Sequence, residues 1–234
     1  GYPKPFSTDT FFDPAHSAES FFQSTLSLLL RQSLAPGVVD SRFAIGGGVR
    51  LGGVGFSGTL AVQASIISGN QTTARGGGIY RGSGAVTIAK STVSGNRTTG
   101  LNSVGGGIRT GAGAVTLTSS TLSGNRTLGR YAHGGGIHTY SGAVTLSGST
   151  VSGNRTTGSD ADGGGIYVKD VGANRDFTAE NSIIAANSAS GTAPDLRPDP
   201  DSTLFITHSL IGDNTGTSLV ESQTPDANGN LIGG

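Results

Sequence analysis

Apolar and polar residues alternate in short segments that return at a regular interval along the middle of the chain. In one unit, the alternating segments cover residues 78–81, 85–88 and 91–94, and clusters of Gly, Ser and Asn separate them. A period of two residues is typical of a β-strand that buries one face, and the clusters between the segments are typical of turns. The pattern therefore predicts three short strands per unit.

Each unit begins with a triple glycine and ends with an asparagine, and the step from one unit to the next is 29 residues. These landmarks fall at Gly76, Gly105, Gly134, Gly163, Asn96, Asn125 and Asn154. A fixed period of this size means that each copy forms one structural unit that stacks on the next. We therefore predict an all-β fold over residues 45–234, a parallel β-helix of about six coils with three strands per coil.

Residues 1–44 do not repeat. Asp13 followed by Pro14 is a good helix start, and an uncovered first coil would leave an unpaired sheet edge. We therefore predict a short helical N-terminal cap or arm ahead of the β-helix. The alternative is a self-assembly arm that docks on a neighbouring molecule. Its apolar residues would be Phe11, Phe12, Phe21, Phe22, Leu26, Leu29 and Leu30.

Composition and charge add two expectations. The chain has no Cys and no Met, which favours a processed, exported protein that folds without disulfides. Its net charge of zero hides an asymmetry, because residues 41–159 hold ten basic and no acidic side chains, whereas residues 160–234 hold three basic and eleven acidic ones. In a solenoid, sequence order becomes position along the axis, so we expect the molecule to be electrically polar from end to end.

Six asparagines close successive coils, and they are the first candidate site. They are Asn70, Asn96, Asn125, Asn154, Asn187 and Asn214. Stacked amides can each bond to the next and also satisfy the backbone of the turn, which predicts an asparagine ladder. The alternative is glycosylation, because the first four lie in N-x-T acceptor motifs. We favour the ladder, since a stacked, inward-facing asparagine cannot also carry a glycan.

Arginines follow the ladder asparagine in three coils and predict an outward basic stripe. These residues are Arg97, Arg126 and Arg155. A second predicted outward column contains Tyr80, Arg109, His138 and Tyr167. Because no carboxylate lies in this part of the chain, we expect the stripe and Arg109 to bind a polyanion such as an acidic glycan. Nucleic acid fits poorly, since no aromatic–basic stacking motif accompanies the charge.

The sequence offers little for catalysis. Polysaccharide lyases and hydrolases need carboxylates that converge on one face, and the central coils contain none. The acidic clusters that could hold a cation are Asp160 with Asp162, and Asp195 with Asp199 and Asp201. Acidic surface loops are usually only solvated, so we predict no catalytic residue, no cofactor and no metal ion. No apolar run is long enough for a transmembrane helix.

Three motifs resemble those of a known group of proteins. They read Gly-Gly-Gly-Ile-Tyr, Gly-Ala-Val-Thr-Leu and Ser-Thr-Val-Ser-Gly-Asn, and the late segment 209–212 accompanies them. They resemble secreted bacterial right-handed β-helix repeat proteins, and they are similar to the repeats of chlamydial polymorphic outer-membrane proteins, which are surface adhesins. The resemblance covers residues 45–234. It implies a right-handed winding and agrees with an extracellular or cell-surface location.

Two functions follow as expectations. The first is a non-enzymatic structural surface protein that associates with itself, head to tail, into a filament or surface layer. Opposite charge at different axial positions and the lack of an evident C-terminal cap favour such contacts. The second is a polysaccharide-binding adhesin, or a polysaccharide lyase-like protein, that uses the basic face.

Overall fold

The computed structural model describes residues 59–169 and 176–234, together with the backbone of three earlier strands. All named strands pair in parallel with the equivalent strand of the neighbouring turn, as expected when the same sequence returns in the same direction. The described residues contain no helix, and therefore none that could cross a membrane. The predicted all-β parallel β-helix is confirmed.

Four sheets run along the solenoid, here labelled A to D. Sheet A contains Val38–Asp40, Leu60–Gln63, Val86–Ala89, Val115–Thr118, Val144–Ser147, Phe177–Glu180 and Leu204–Thr207. Sheet B contains Ala44–Ile45, Ile66–Ser68, Thr92–Ser94, Thr121–Ser123, Thr150–Ser152, Ile183–Ala185, Leu210–Ile211 and Leu231–Ile232. Sheet C contains Val49–Leu51, Ile79–Ser83, Ile108–Ala112, Ile137–Thr139, Ile166–Val168 and Leu196–Arg197. Sheet D contains Gln71–Thr72, Arg97–Thr98, Arg126–Thr127 and Arg155–Thr156.

A central coil visits the sheets in the order C, A, B and D. Five successive pairings in sheet A connect Leu60–Gln63 to Leu204–Thr207, so the chain completes five turns between these strands. The sequence predicts about six coils, which is close to this count. The structure adds a fourth strand per coil, the two-residue strand of sheet D, which is too short to produce an alternation pattern of its own.

The core is a set of straight columns that run the length of the solenoid. Ile79, Ile108 and Ile137 pair in register on sheet C, and all three side chains are fully buried. Equivalent columns on sheets A and B contain residues such as Val115 and Leu122, which are also fully buried. Burial of one such side chain contributes roughly 1.5–3 kcal/mol, so the columns stabilise the coil without a globular centre.

The triple glycine allows two strands of the same coil to approach each other closely. A Cβ atom on Gly106 would lie 2.5 Å from the carbonyl oxygen of Arg126 and closer still to that of Gly135. Gly105, just before it, has a φ of +72°, which side-chain-bearing residues rarely adopt. The glycines are therefore required by backbone packing between sheets C and D.

The two ends of the described chain differ from the central coils. Val38–Asp40 and Ala44–Ile45 already pair with sheets A and B, so parallel stacking begins before residue 45. The predicted helical arm, with its apolar residues from Phe11 to Leu30, lies outside the described residues. At the other end, Ser222 pairs antiparallel with Ile232, so the last strand of sheet B has a neighbour on its outer side.

Candidate functional site

The asparagine ladder lies at the turn between sheets B and D. Asn125 Oδ1 accepts hydrogen bonds from the backbone amide of Asn96 at 3.0 Å and from its Nδ2 at 2.9 Å. Asn125 Nδ2 donates to Asn154 Oδ1 at 2.9 Å and to the carbonyl oxygen of Val93 at 2.9 Å. Side-chain amides are linked in this way through Asn70, Asn96, Asn125, Asn154 and Asn187. The predicted ladder is confirmed for these five residues.

Each residue of the recurring Asn-Arg-Thr motif has a different environment. In residues 125–127, Asn125 and Thr127 are fully buried, whereas Arg126 is exposed. The hydroxyl of Thr127 donates to the carbonyl oxygen of Ala132 and fastens the following loop. A buried amide that already makes four hydrogen bonds cannot carry a glycan in the folded chain, so folding accounts for the N-x-T pattern.

The ladder ends on a carboxylate, and the prediction that Asn214 belongs to it is wrong. Asn187 donates to Asp195 Oδ1 from its backbone amide at 2.9 Å and from its Nδ2 at 2.7 Å. Asp195 Oδ2 accepts from the amide of Asp213 at 2.8 Å. Asn214 Nδ2 donates instead to a backbone carbonyl five residues later, at 3.0 Å. The cause is the loop before Leu196–Arg197, which brings the Asp195 side chain to the acceptor position that the next asparagine would take.

A serine column forms a second ladder at the turn between sheets A and B. This ladder was not predicted from the sequence. Ser120 Oγ accepts from the amide of Ser91 at 3.1 Å and donates to the carbonyl oxygen of Thr118 at 2.8 Å. The members are Ser65, Ser91, Ser120, Ser149, Ser182 and Ser209, and the amide of the last donates to Asn230 Oδ1. The signal was available, because three of these serines follow the 29-residue step of the landmarks.

The basic stripe is the set of Arg97, Arg126 and Arg155 on sheet D. The three residues pair in register, and all are exposed. Neighbouring strands lie about 4.8 Å apart, so the stripe is a straight row along the solenoid axis. Among the described residues, none forms an ion pair with the stripe. The prediction of an outward row of arginines is confirmed in its geometry.

The structure separates Arg109 from the basic stripe and corrects its expected exposure. Arg109 lies on sheet C, and its side chain is only 7% exposed. It pairs in register with Tyr80 and His138, as predicted, but the neighbouring side chains cover it. Its Cζ atom lies 5.2 Å from the centroid of the Tyr80 ring. An alternation pattern predicts which side of a strand a residue faces, but not what covers that side.

Aromatic rings and cations follow one another along the outer side of sheet C. We call this set the sheet C column, and it contains Tyr80, Arg109, His138, Tyr167 and Arg197 in successive strands. The His138 and Tyr167 rings stack with centroids 5.3 Å apart and planes 6° apart. Arg197 Cζ lies 6.0 Å from the Tyr167 centroid. The column therefore contains two stacked groups in register, Arg109 beside Tyr80, and His138 and Arg197 beside Tyr167.

The central histidine of the column is neutral at ordinary pH. Burial lowers the pKa of His138 well below its usual value of 6.5, and the positive charges of Arg109, His133 and Lys169 lower it further. Its Nδ1 atom is buried and has no hydrogen-bond partner among the described residues. The pKa of His133, which stacks on Tyr167, is also lowered by burial.

Acid is therefore expected to destabilise the fold. Because the pKa of His138 is lower in the folded chain than in the unfolded one, the unfolded chain takes up the proton first as the pH falls. The free energy of unfolding should decrease below about pH 6.5, by at most ~1.4 kcal/mol per pH unit for one histidine. Urea unfolding near neutral pH and near pH 5 should show a smaller decrease in His138→Gln than in the wild type. An equal decrease in both proteins would contradict this assignment.

The acidic clusters are occupied by internal contacts. Both carboxylate oxygens of Asp195 accept ladder or backbone hydrogen bonds, and burial raises the pKa of this group against the opposing effect of those bonds. Asp162 Oδ1 accepts from the amide of Thr192 at 2.7 Å. Asp160 faces Arg130 at 3.3 Å, and both side chains are more than half exposed. Within the described ranges, no three His, Cys, Asp or Glu side chains are grouped to hold a metal ion.

Comparison with known proteins agrees with this architecture. A family model described as a right handed beta helix region matches residues 47–232. The family includes both enzymes and proteins without enzymatic activity. No curated protein and no solved structure matches the sequence. The match therefore concerns the repeat and its winding, while the basic stripe and the sheet C column are features of this chain.

Proposed function

The chain belongs to the right-handed β-helix family, and from this fold we propose that it is a non-enzymatic extracellular or cell-surface protein that binds an acidic polysaccharide. A β-helix of this kind fits a surface or carbohydrate-related protein. The observation that carries the proposal is the basic stripe, in which three exposed arginines stand in register with no described carboxylate paired to them. The stripe is the proposed binding surface.

The geometry suits a linear polyanion. A guanidinium group binds carboxylate and sulfate through two parallel hydrogen bonds. Successive arginines lie about 4.8 Å apart along the axis, a step comparable with the length of one sugar unit in an extended polysaccharide. Consecutive acidic sugars can therefore meet consecutive arginines.

The backbone beneath the stripe is fixed before any ligand arrives. The amide of Arg126 donates to the carbonyl oxygen of Asn96 at 2.8 Å, and that of Arg155 donates to Asn125 at the same distance. On either side of each arginine lie the buried ladder asparagine and the buried threonine. Binding therefore needs to order only the arginine side chains, which limits the entropy cost of association.

The surroundings of the stripe favour binding over turnover. Glycoside cleavage usually requires a pair of carboxylates on either side of the scissile bond, and residues 41–159 contain no Asp or Glu. These features support saturable binding without a chemical step.

Replacement of all three stripe arginines by glutamine is expected to weaken binding to polygalacturonate at least ~100-fold. Each charge-assisted hydrogen-bonded contact contributes about 1.5–3 kcal/mol, or tenfold or more in affinity. Isothermal titration calorimetry measures the change, and chromatography of the incubated polysaccharide detects any cleavage. A matched control replaces the exposed cations Arg75, Lys90 and Arg130 by glutamine, which removes the same formal charge elsewhere. Equal losses in both triple variants, or cleavage products, would contradict the proposal.

End-to-end association is a second candidate function. The opposite charge of residues 41–159 and 160–234 supports it, because axial charge complementarity steers and registers contacts between copies. The antiparallel pairing of Ser222 with Ile232 covers part of one end, so contacts there would involve side chains more than strand addition. Light scattering over a range of protein and salt concentrations tests this candidate. A mass that stays monomeric throughout would remove it.

A further inference from the structure

The sheet C column contains a buried cation that no described residue neutralises. The guanidinium group of Arg109 forms no ion pair with the part of the chain that the structure describes, and its Nε atom has no hydrogen-bond partner there. This Nε atom is buried, and the whole residue is only 7% exposed. A buried charge without a partner is costly, because its lost hydration is not replaced. Such a group indicates that something outside the chain completes the site.

The contact with Tyr80 is too weak to compensate for this burial. A cation–π interaction is a weak contact, and here the Cζ atom lies 5.2 Å from the ring centroid. The penalty for burying an ion exceeds the gain from such a contact. Burial of Arg109 therefore destabilises the free protein by more than its contact with the aromatic neighbour stabilises it.

The charges around Arg109 are positive. Burial lowers the pKa of Arg109; the nearby Tyr80 opposes this shift, and the positive charge of Arg75 adds to it. Lys169 lies two coils beyond Arg109, and its Nζ atom is 4.7 Å from the centroid of the Tyr140 ring. Within the described residues, no carboxylate lies within ion-pair distance of Arg109. The outer side of sheet C thus has a positive potential that attracts an anion.

We propose that Arg109 anchors a binding site for a single oxyanion, a carboxylate, sulfate or phosphate group of a ligand. The terminal nitrogens would donate two parallel hydrogen bonds to it, with Arg75 as the neighbouring cation. Tyr80 and Tyr140 stand beside the guanidinium and would line the edge of the site. The site lies on sheet C, apart from the basic stripe on sheet D, and it does not rest on the proposed function.

The test uses the full chain and three simple probes. Sodium sulfate, sodium phosphate and sodium glucuronate are titrated separately into isotopically labelled protein, with sodium chloride keeping the ionic strength constant. We expect saturable shifts of the Arg109 Nε–H and His138 ring signals in nuclear magnetic resonance spectra with at least one probe. Comparison of the three titrations identifies which oxyanion binds. Failure of all three probes to shift these signals beyond the chloride reference overturns the proposal.

Two substitutions locate the binding. Arg109→Met should weaken binding about ten- to a hundredfold, the value of one charge-assisted contact. Without oxyanion, this variant should melt at the same temperature as the wild type or higher, because it removes an unpaired buried charge. Arg130→Met, at an exposed cation outside both the sheet C column and the basic stripe, should bind like the wild type. Equal loss in Arg130→Met would show that binding follows general positive charge and overturn the assignment, while leaving the proposed polysaccharide binding intact.

Discussion

Replacement of Gly106 by alanine is expected to destabilise the fold by more than about 3 kcal/mol, the upper range for overpacking. The added Cβ would lie 2.5 Å from the carbonyl oxygen of Arg126 and 2.6 Å from its carbonyl carbon. Both atoms belong to backbone held by the ladder turn, so neither can move without breaking strand pairing. Urea unfolding followed by circular dichroism measures the loss.

Gly82→Ala is the matched control. A Cβ at Gly82 would meet nothing closer than the Tyr80 hydroxyl, at 4.0 Å, and its φ is not in the left-handed region. This variant should therefore unfold within about 0.5 kcal/mol of the wild type. If Gly106→Ala were as stable as Gly82→Ala, sheets C and D would not approach as closely as described.

Replacement of Asn125 by alanine is expected to destabilise the fold by a comparable amount, about 3–5 kcal/mol, because it leaves several buried polar groups without a partner. The change removes the acceptor for the backbone amide and Nδ2 of Asn96, and it removes the donor to the carbonyl oxygen of Val93. Each buried polar group left without a partner costs about 1–3 kcal/mol. Asn154 Oδ1 keeps the hydrogen bond from the backbone amide of residue 125, so the damage should stay local to one turn.

The control for the ladder is Asn228→Ala. Asn228 is exposed, and only its backbone forms hydrogen bonds, so the loss should be within about 0.5 kcal/mol. Denaturant titrations of the two variants under the same conditions compare them directly. A similar small loss at both positions would show that the stacked amides contribute little to stability.

The regular part of the fold could be predicted because the repeat period of the sequence equals the number of residues in one coil. Once the triple glycine recurs every 29 residues, each inward column follows from counting, and Ile108 must lie beside Ile79 and Ile137. The Asn-Arg-Thr alternation likewise places Asn125 inside and Arg126 outside. These predictions depend on local geometry repeated without change.

Prediction failed where the repeat is interrupted. Asn154 and Asn187 are 33 residues apart, and a loop of a different kind follows. After this loop, Asn214 still follows an apolar pair at the spacing of the ladder asparagines. The carboxylate of Asp195 nevertheless occupies the position that accepts hydrogen bonds from the last ladder asparagine. Which of two polar side chains fills a buried position depends on the path of an irregular loop, and no periodicity describes that path.

The burial of Arg109 could not be predicted for a different reason. Its outward orientation follows from the alternation in Ile108–Ala112, but its low exposure depends on the aromatic side chains of neighbouring coils. Tyr80 stands directly beside it in register. The period predicts which residues share the column, but the conformations that these side chains adopt around Arg109 do not follow from any period.

The central claim is that residues one period apart stand side by side, so that the three arginines form a straight row. Because the chain has no native Cys, pairs of spin labels can be attached at Arg97→Cys with Arg126→Cys, and at Arg97→Cys with Arg155→Cys. The backbone spacings should be about 4.8 Å and about 10 Å. Electron paramagnetic resonance should therefore show strong spin–spin broadening for the first pair and weaker broadening for the second. Equal spectra for the two pairs, or spectra that match the sum of single labels, would contradict the account.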